Sequence, residues 1–272
     1  MSWTTQRPSA GGAWSLPARQ ELKYVIPDSL ARRIALFAQT YCDRDASLPP
    51  SETVYTITSL YLDSPDLQLY WEKKTLRWER MKVRVRTYGP RSEGPVFAEV
   101  KRRYGEVISK TRSMVPRETW KTLVLSPTAF DPALFPKSNV RVLKDFCVQC
   151  ERYRLRPILS LRYDREPLIG RLDPEIRVTF DRAIRYARVS EPILVEDDVD
   201  YTPLTFNAGC YTHEPLVVLE LKFNRVFPLW MQQLVERFDL DRGSFSKYMR
   251  SIDQMQAELP SYAPTTLGTV LG

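Results

Sequence analysis

The chain has 272 residues, of which 43% are hydrophobic and 27% charged, and 40 Lys and Arg residues against 33 Asp and Glu residues give it a formal net charge of +7. This composition is typical of a globular protein and excludes a chain that is disordered throughout. No apolar run approaches the roughly 20 residues that a membrane-spanning helix needs, and the N-terminal segment lacks the apolar core of a signal peptide. We therefore expect a soluble, cytoplasmic protein. Nucleic acid, an acidic membrane surface and phosphorylated small molecules all match the basic excess.

The two ends of the chain differ in composition from its middle. Residues 1–17 and 259–272 are rich in Ser, Gly, Pro and Thr, which predicts tails without stable structure. No linker, fixed-period repeat or low-complexity segment interrupts residues 18–258, so we expect a single domain there. Four cysteines in a chain of this length do not indicate a disulfide framework, and we expect reduced thiols. Cys147 and Cys150 have the CxxC spacing without a second pair, and the sequence assigns them no role.

Helical signals are few, and each is short. Five stretches combine a helix-starting residue with apolar residues at helical spacing. They are residues 28–41, a segment that starts at Ser64, and residues 116–125, 140–150 and 228–238. None is basic enough to resemble a helix that reads a nucleic-acid groove.

The other segments are typical of strands, and they share one pattern. In Met81–Tyr88 apolar and basic residues alternate, so Lys82, Arg84 and Arg86 lie on one face of the strand and the valines on the other. The same alternation returns at residues 96–103, 110–112, 158–163, 176–181 and 219–223. At least six strands therefore place charge on one face and aliphatic side chains on the other.

The repeated basic faces raise the question of which side of the sheet is buried. In a plain sandwich the charged faces would meet water, and that alternative is open for any single strand. A closed barrel accounts better for the whole set, because helices can cover the aliphatic faces outside while the charged faces line a lumen. Cations enclosed in a lumen repel one another unless an anion compensates them, and Arg and Lys together suit a chain of phosphates. Glu21, Glu99 and Glu220 share these faces and are candidates for holding Mg²⁺ or Mn²⁺.

Nine short motifs, in order from about residue 19 to residue 250, resemble the VTC domain. This is the polyphosphate polymerase module of the vacuolar transporter chaperone family, which has soluble bacterial relatives and belongs to the triphosphate tunnel metalloenzymes. The motifs are Arg19-x-Glu21-x-Lys23-Tyr24, Ser59-Leu60-Tyr61-Leu62-Asp63-Ser64-Pro65, Lys82-x-Arg84-x-Arg86-x-Tyr88, Ala98-Glu99-x-Lys101, Lys110-x-Arg112, Leu161-Arg162-Tyr163, Arg177-x-x-x-Asp181, Glu220-x-Lys222-Phe223 and Phe245-Ser246-Lys247-Tyr248.

The resemblance implies an α+β fold in which an eight-stranded antiparallel β-barrel, the triphosphate tunnel, is surrounded by helices. It further implies that Mn²⁺ or Mg²⁺ assists transfer of the γ-phosphate of ATP, or another nucleoside triphosphate, onto growing inorganic polyphosphate. Carried over motif by motif, the catalytic phosphate-contacting residues are Lys23, Arg84, Arg86, Lys101, Lys110, Arg162, Arg177 and Lys247. Glu220 is the metal ligand that the resemblance implies, with Glu21 and Glu99 as weaker candidates. Lys82, Lys222 and Arg112 are added as substrate-binding residues.

Two departures from the family pattern bear on function. Many tunnel enzymes that hydrolyse triphosphates begin with an ExExK pattern, whereas this chain has Arg19 at the first position, which favours the polymerase branch. Yeast-type domains can carry an additional lysine where this chain has Ser244, so the phosphate grip at that end is expected to be weaker. The alternatives are an inorganic or nucleoside triphosphatase of the same superfamily and a non-catalytic module that binds polyphosphate or inositol phosphates. Nucleic acid is disfavoured because strand alternation places the basic residues inside.

The remaining features have structural interpretations. His213 is expected in a loop, and the acidic run at residues 195–200 in a solvated turn. Arg152, Arg154 and Arg156 are expected at an exposed rim or a tunnel mouth. The tryptophans at positions 71, 78, 120 and 230 are expected to pack between helices and sheet, although any of them near a mouth could stack on a nucleotide base. A membrane partner protein is compatible with the family, and the oligomeric state cannot be inferred from the sequence.

Overall fold

The fold is built on one antiparallel sheet that curls into a half-barrel. The computed structural model describes residues 19–89, 94–194, 199–205, 214–224 and 226–258, with Arg19 described only as backbone. The expected tails at 1–17 and 259–272, His213 and residues 195–198 of the acidic run lie outside the described residues.

Eight strands follow one another around the curl, and every neighbouring pair is antiparallel. In spatial order they are β1 (Arg19–Pro27), β10 (Leu216–Asn224), β8 (Arg177–Arg188), β7 (Arg156–Gly170), β3 (Tyr55–Asp63), β4 (Glu79–Tyr88), β5 (Val96–Tyr104) and β6 (Val107–Val115). Two short strands, β2 (Cys42–Arg44) and β9 (Thr202–Pro203), pair at the sides of β7 and β8. No ladder joins β1 to β6 in the part of the chain that the structure describes, so the wall has a seam there. The eight-stranded antiparallel architecture is confirmed.

Six α-helices accompany the sheet in the described ranges. They are α1 (Asp28–Ala38), α2 (Gln68–Lys74), α3 (Trp120–Leu125), α4 (Lys137–Arg152), α5 (Leu229–Arg237) and α6 (Lys247–Ala257), with two 3₁₀ turns at Pro127–Ala129 and Pro132–Leu134. The five predicted helices are confirmed, but α6 was not predicted. Within the described ranges, none of these helices combines the length and apolar character needed to cross a membrane.

The convex face of the sheet carries the aliphatic residues, and helices cover it in two places. On one side α3 and α4 pack on β3, β4 and β5, with Leu143 and Phe146 fully buried against Leu60 and Val85. On the other side α1 and α5 cover β1, β8 and β10. Cys147 and Cys150 lie in the α4 core, where burial raises the pKa of Cys147 to about 11 and so disfavours the thiolate.

The concave face is partly apolar, because α6 lies within the curl. Tyr248 and Ile252 of α6 are buried against Leu159 and Ile184, which lie in β7 and β8. Ser246 caps the helix by accepting a hydrogen bond from the Met249 backbone N–H at 3.3 Å. The spacing of the apolar residues in α6 is helical, but the Phe245–Tyr248 motif had been interpreted only as a phosphate-contacting segment. The charged faces of the other strands surround the space that α6 leaves free.

We expect Leu143→Ala to lower the free energy of unfolding by about 2–5 kcal/mol, because it removes a fully buried side chain from the α4 core and leaves a cavity. Val148→Ala on the exposed side of the same helix should change it by less than about 0.5 kcal/mol. Urea unfolding of both variants measures the difference. Equal losses in the two variants would contradict the assignment of this core.

Candidate functional site

Strand register determines which charged side chains share the concave face. Lys82, Arg84 and Arg86 of β4 alternate on that face, opposite Lys101 and Glu99 of β5. Arg80 and Arg103 begin this face at one end of the β4–β5 pair. Beyond them, the basic residues that the structure places there are Lys23, Lys82, Arg84, Arg86, Lys101, Lys110, Arg112, Arg165, Lys222 and Lys247. The carboxylates among them are Glu21, Glu99, Asp181 and Glu220. These ten basic residues therefore outnumber the four carboxylates in a confined space.

The Glu99 cluster comprises Glu99, Arg84, Lys110 and Arg112. The Glu99 side chain is 1% exposed, and its carboxylate lies 2.7 Å from Arg84 Nε, 2.9 Å from Lys110 Nζ and 3.5 Å from Arg112 Nε. Burial alone would raise the pKa of Glu99, but Arg84, Arg86 and Lys110 together hold it well below its ordinary value. Glu99 is therefore ionised and acts as the local counter-ion of three strand cations.

The Glu220 cluster is centred on a second buried carboxylate. Four cations contact Glu220, at 2.6 Å (Lys222), 3.0 Å (Arg165), 3.1 Å (Lys23) and 3.3 Å (Lys247). Burial would raise its pKa, but these cations bring the pKa well below the ordinary value.

Two further carboxylates complete the Glu220 cluster. Asp181 accepts two hydrogen bonds from Arg165, at 2.6 and 2.7 Å, and pairs with Lys247. Glu21 lies 3.3 Å from Lys23 and 3.7 Å from Lys101. The Lys101–Glu21 pair links β5 to β1, two strands that are not neighbours in the sheet.

Two lysines of the concave face carry an electrostatic cost. Partial desolvation between the strands lowers the pKa of Lys110 to about 7, although 40% of its side chain is exposed; Arg84 and Arg86 add to the shift, and Glu99 opposes it. Burial, together with Lys23 and Lys101, lowers the pKa of Lys82 well below its ordinary value. Lys82 Nζ donates to Ser246 Oγ at 2.8 Å, a neutral partner that supplies no compensating charge. An anion bound between these strands would relieve both costs.

A cavity of about 730 Å³ opens where β1, β4 and β6 begin and β5 ends. We call it the mouth cavity. Lys23, Lys82 and Lys101 line its inner part. Further basic residues, Lys73, Arg80, Arg103 and Arg242, surround them toward the outside. Its volume lies in the range of small-molecule sites, and its lining selects for anions.

Most of the predicted site residues come together on the concave face. The structure brings together Lys23, Arg84, Arg86, Lys101, Lys110, Lys247, Lys82, Lys222, Arg112, Glu220, Glu21 and Glu99. Arg177 lies at the beginning of β8 beside Lys222, with its guanidinium 3.5 Å from the Pro174 carbonyl oxygen, and so occupies the rim of the wall. Glu99 is separated from the other two candidate metal ligands, because its contacts are with the cations of β4 and β6.

Arg162 does not lie on the concave face, and Arg165 is the arginine of β7 that does. Arg162 pairs in register with Thr58 on the convex face, whereas Arg165 lies on the concave face and contacts Asp181 and Glu220. Both faces of the segment 161–166 carry charged residues, so strand alternation within the segment does not distinguish them. The contact that identifies Arg165 is between β7 and β10, and no local sequence signal indicates it.

Asp63 is a buried carboxylate that sequence reasoning left without a role. It accepts backbone N–H bonds from Ser64 (2.7 Å), Leu69 (2.9 Å) and Tyr70 (2.9 Å), and a hydrogen bond from the Tyr248 hydroxyl. Tyr248 directly follows Lys247 at the start of α6. Asp63 therefore anchors the segment that brings Lys247 to the Glu220 cluster.

Tyr248 also connects this anchor to the Glu99 cluster. Its ring stacks on Tyr61 at a centroid distance of 4.8 Å, and the Tyr61 hydroxyl accepts a hydrogen bond from Arg84 Nη1 at 2.9 Å. Asp63 and Tyr61 both belong to the Ser59–Pro65 motif, which thus supports both clusters from the β3 side.

The chain was compared with protein families, curated proteins and solved structures. The sequence model of the VTC domain family matches residues 18–256. Among curated proteins, none matches. Matching solved structures include a candidate adenylate cyclase of Vibrio parahaemolyticus, with a TM-score of 0.45 and 11% identity over 88% of this chain and 99% of that one. They also include the PH1819 protein of Pyrococcus horikoshii OT3, with a TM-score of 0.42 and 10% identity over 87% of this chain and 99% of that one.

We expect Asp63→Asn to lower the free energy of unfolding by about 1–3 kcal/mol, because the carboxamide NH₂ replaces one acceptor in a buried site where four donors converge. Asp66→Asn, in the exposed turn beside it, should leave stability unchanged within error. Denaturant unfolding of the two variants tests this. An equal response in both would show that the Asp63 hydrogen bonds do not anchor α6.

We expect inorganic tripolyphosphate to bind with proton uptake at pH 8. Lys110, whose pKa in the free protein is about 7, is then largely neutral, and a bound polyanion restores its charge. Lys110→Arg should take up fewer protons at pH 8 and match the wild type at pH 6. Calorimetry in two buffers of different ionisation enthalpy measures the uptake. Subtracting the proton uptake of the variant from that of the wild type removes the protons that the ligand itself exchanges, because these are the same for both proteins. An identical uptake in both proteins at pH 8 would contradict the perturbed lysine.

Proposed function

The chain belongs to the VTC domain family, and from this membership and its enclosed basic face we propose that it is a polyphosphate polymerase. The reaction is transfer of the γ-phosphate of ATP, or another nucleoside triphosphate, onto a growing inorganic polyphosphate chain. The catalytic unit is the domain at residues 18–258. The observation that carries this proposal is the excess of basic residues over carboxylates on the concave face.

The location of the positive charge supports a linear phosphate chain as substrate. Basic residues follow the strands in sequence along the concave face, as Lys82, Arg84 and Arg86 do on β4. Glu99 and Glu220 neutralise only part of the charge. A linear polyanion can compensate several such cations at once, and each Arg fork can bind two phosphate oxygens. Binding to the outside of a nucleic-acid duplex would instead require the basic residues on the convex face.

In phosphoryl transfer, the protein mainly aligns the reactants and neutralises charge. Arg84 and Arg86 hold the terminal phosphates of the triphosphate from the β4 side, while Lys247 and Arg165 approach from the opposite wall. The acceptor is a phosphate oxygen that is already anionic near neutral pH, so deprotonation by a general base is not required. Lys23 and Lys101 line the path toward the mouth cavity.

The carboxylates of the Glu220 cluster fit a hard divalent cation by their donor chemistry. Glu220 and Glu21 share Lys23 and Lys222 as neighbours, so their oxygens lie on the same side of the tunnel. No set of three Asp, Glu, His or Cys side chains is gathered around a metal position in the described residues. Mg²⁺ is commonly held by one or two carboxylates together with substrate phosphates, so a complete protein cage is not needed. Glu220, with Glu21, would hold Mn²⁺ or Mg²⁺. The ion would neutralise phosphate charge.

We expect the purified protein, incubated with ATP and Mn²⁺, to produce phosphate chains that are visible on a polyacrylamide gel. Arg165→Ala should lower this activity by about 100-fold or more, because it removes a cation from the inner wall. Arg162→Ala is the matched control, since it removes the same side chain from the convex face of the same strand. Circular dichroism checks that both variants fold.

Three outcomes would contradict the proposal in different ways. Release of orthophosphate without chains would indicate a triphosphatase. Binding of polyphosphate without turnover of ATP would indicate a non-catalytic binding module. Equal losses in the two arginine variants would show that the concave face does not hold the substrate.

A further inference from the structure

A second cavity, of about 430 Å³, lies on the outside of the wall beside the beginning of β4. We call it the outer pocket. Its lining combines three aromatic rings with arginines and two carboxylates. It includes Trp78, Tyr104, Tyr153, Arg80, Glu72 and Glu79. The volume is sufficient for a small ligand.

The outer pocket adjoins the mouth cavity. Arg80, Met81 and Arg102 line both. Arg80 lies on the concave face of β4, whereas Met81 and its register partner Arg102 lie on the convex face. The two cavities therefore lie side by side at the end of the β4–β5 pair. A ligand that passes around this end would have its anionic part in the mouth cavity and a second part in the outer pocket.

Trp78 presents an exposed aromatic ring in this pocket. Its side chain is 77% exposed, yet its ring lies close to Gly105 in the β5–β6 turn, where an added Cβ would come within 2.5 Å of the ring. The Gly105 backbone N–H also donates to the Trp78 carbonyl oxygen at 2.9 Å. Gly105 has a φ of +55°, which a glycine adopts at little cost. The absence of a side chain at this position thus lets the exposed ring approach the backbone closely.

The arginines around Trp78 differ in how they are engaged. Arg102 makes two hydrogen bonds to Asp145, at 2.8 and 2.9 Å, and so links β5 to α4. Arg80 donates to the Arg77 backbone carbonyl at 3.3 Å, and burial together with Arg103 lowers its pKa, while Glu106 opposes the shift. A negative charge near Arg80 would relieve its repulsion with Arg103. An exposed aromatic ring next to Arg80, at the edge of the basic mouth cavity, suits a ligand with one flat ring and one anionic part.

We propose that the outer pocket binds the base of a nucleoside triphosphate, which stacks on Trp78 while its phosphates enter the mouth cavity. The inference rests on the proposed function, in which a nucleoside triphosphate is the phosphate donor. Of the four tryptophans considered in the sequence, the structure favours Trp78 as the stacking residue. Trp120 is buried in the α3–α4 core, Trp230 stacks on Tyr41, and Trp71 does not line either cavity. Because every base has a π-face, stacking predicts broad tolerance of the base with a preference for larger purine rings.

The test compares two ligands that share a triphosphate and differ in the base. ATP and inorganic tripolyphosphate are titrated calorimetrically, in the same metal and buffer, into wild type, Trp78→Ala, Trp78→Phe and Trp71→Ala. We expect Trp78→Ala to weaken ATP binding by about tenfold and to leave tripolyphosphate binding unchanged. Trp78→Phe should retain most of the ATP affinity, because a ring remains. Trp71→Ala, which removes an exposed tryptophan outside the pocket, should bind both ligands like the wild type.

Each other outcome overturns a specific part of the inference. If Trp78→Ala binds ATP as tightly as the wild type, the base does not occupy the outer pocket, while the proposed function stands. If Trp78→Ala loses affinity for both ligands equally, Trp78 supports the phosphate path and the stacking assignment is wrong. If the wild type binds neither ligand, the proposed function itself fails, and the inference with it.

Discussion

The enclosure of like charges is the constraint on which this structure depends. Cations brought together on the inner face of a curled sheet repel one another and lose hydration, and the fold tolerates them only because ionised carboxylates are buried among them. Glu99 and Glu220 have this role, each with several cations around it. Basic residues still outnumber carboxylates on this face, so an anion bound there would relieve the repulsion that remains. The residues that make the face costly to enclose are therefore the ones that an anion would stabilise.

Helix α6 connects strands on different sides of the concave face. Its first turn places Lys247 against Asp181 and Glu220, and Ser246 against Lys82. The turn is held there by the bond from Tyr248 to Asp63, a residue far away in sequence. The half-barrel is thus completed on its inside by a helix, and not only by strand pairing. This arrangement explains how a motif in β3 that carries no cation supports the basic concave face.

Strand alternation accounts for much of what could be predicted. It identified the charged faces of β4, β5 and β10, because each of these strands has basic or acidic residues on one side and mostly apolar residues on the other, and it grouped Lys110 with Arg112 on β6. It did not separate Arg162 from Arg165, because charged residues occupy both faces of that part of β7 and only pairing with β3 and β8 decides which faces inward. Likewise, the sequence offered no means of choosing between Trp71 and Trp78. Their positions relative to the cavities depend on a turn between β5 and β6 that lies more than 20 residues away.

By itself, the sequence determined the family and the antiparallel architecture through the order of its nine motifs, and strand alternation indicated most of the residues on the charged faces. Tertiary structure decided the partners among those residues. Lys23 and Lys222 share Glu220, and Arg84 and Lys110 share Glu99, only because strand pairing and the curl of the sheet bring these side chains within ion-pair distance. The folded sheet also lowers the pKa of Lys110 and brings the outer pocket beside the mouth cavity. Burial and the distance between charges are properties of the folded chain, so no local pattern contains them.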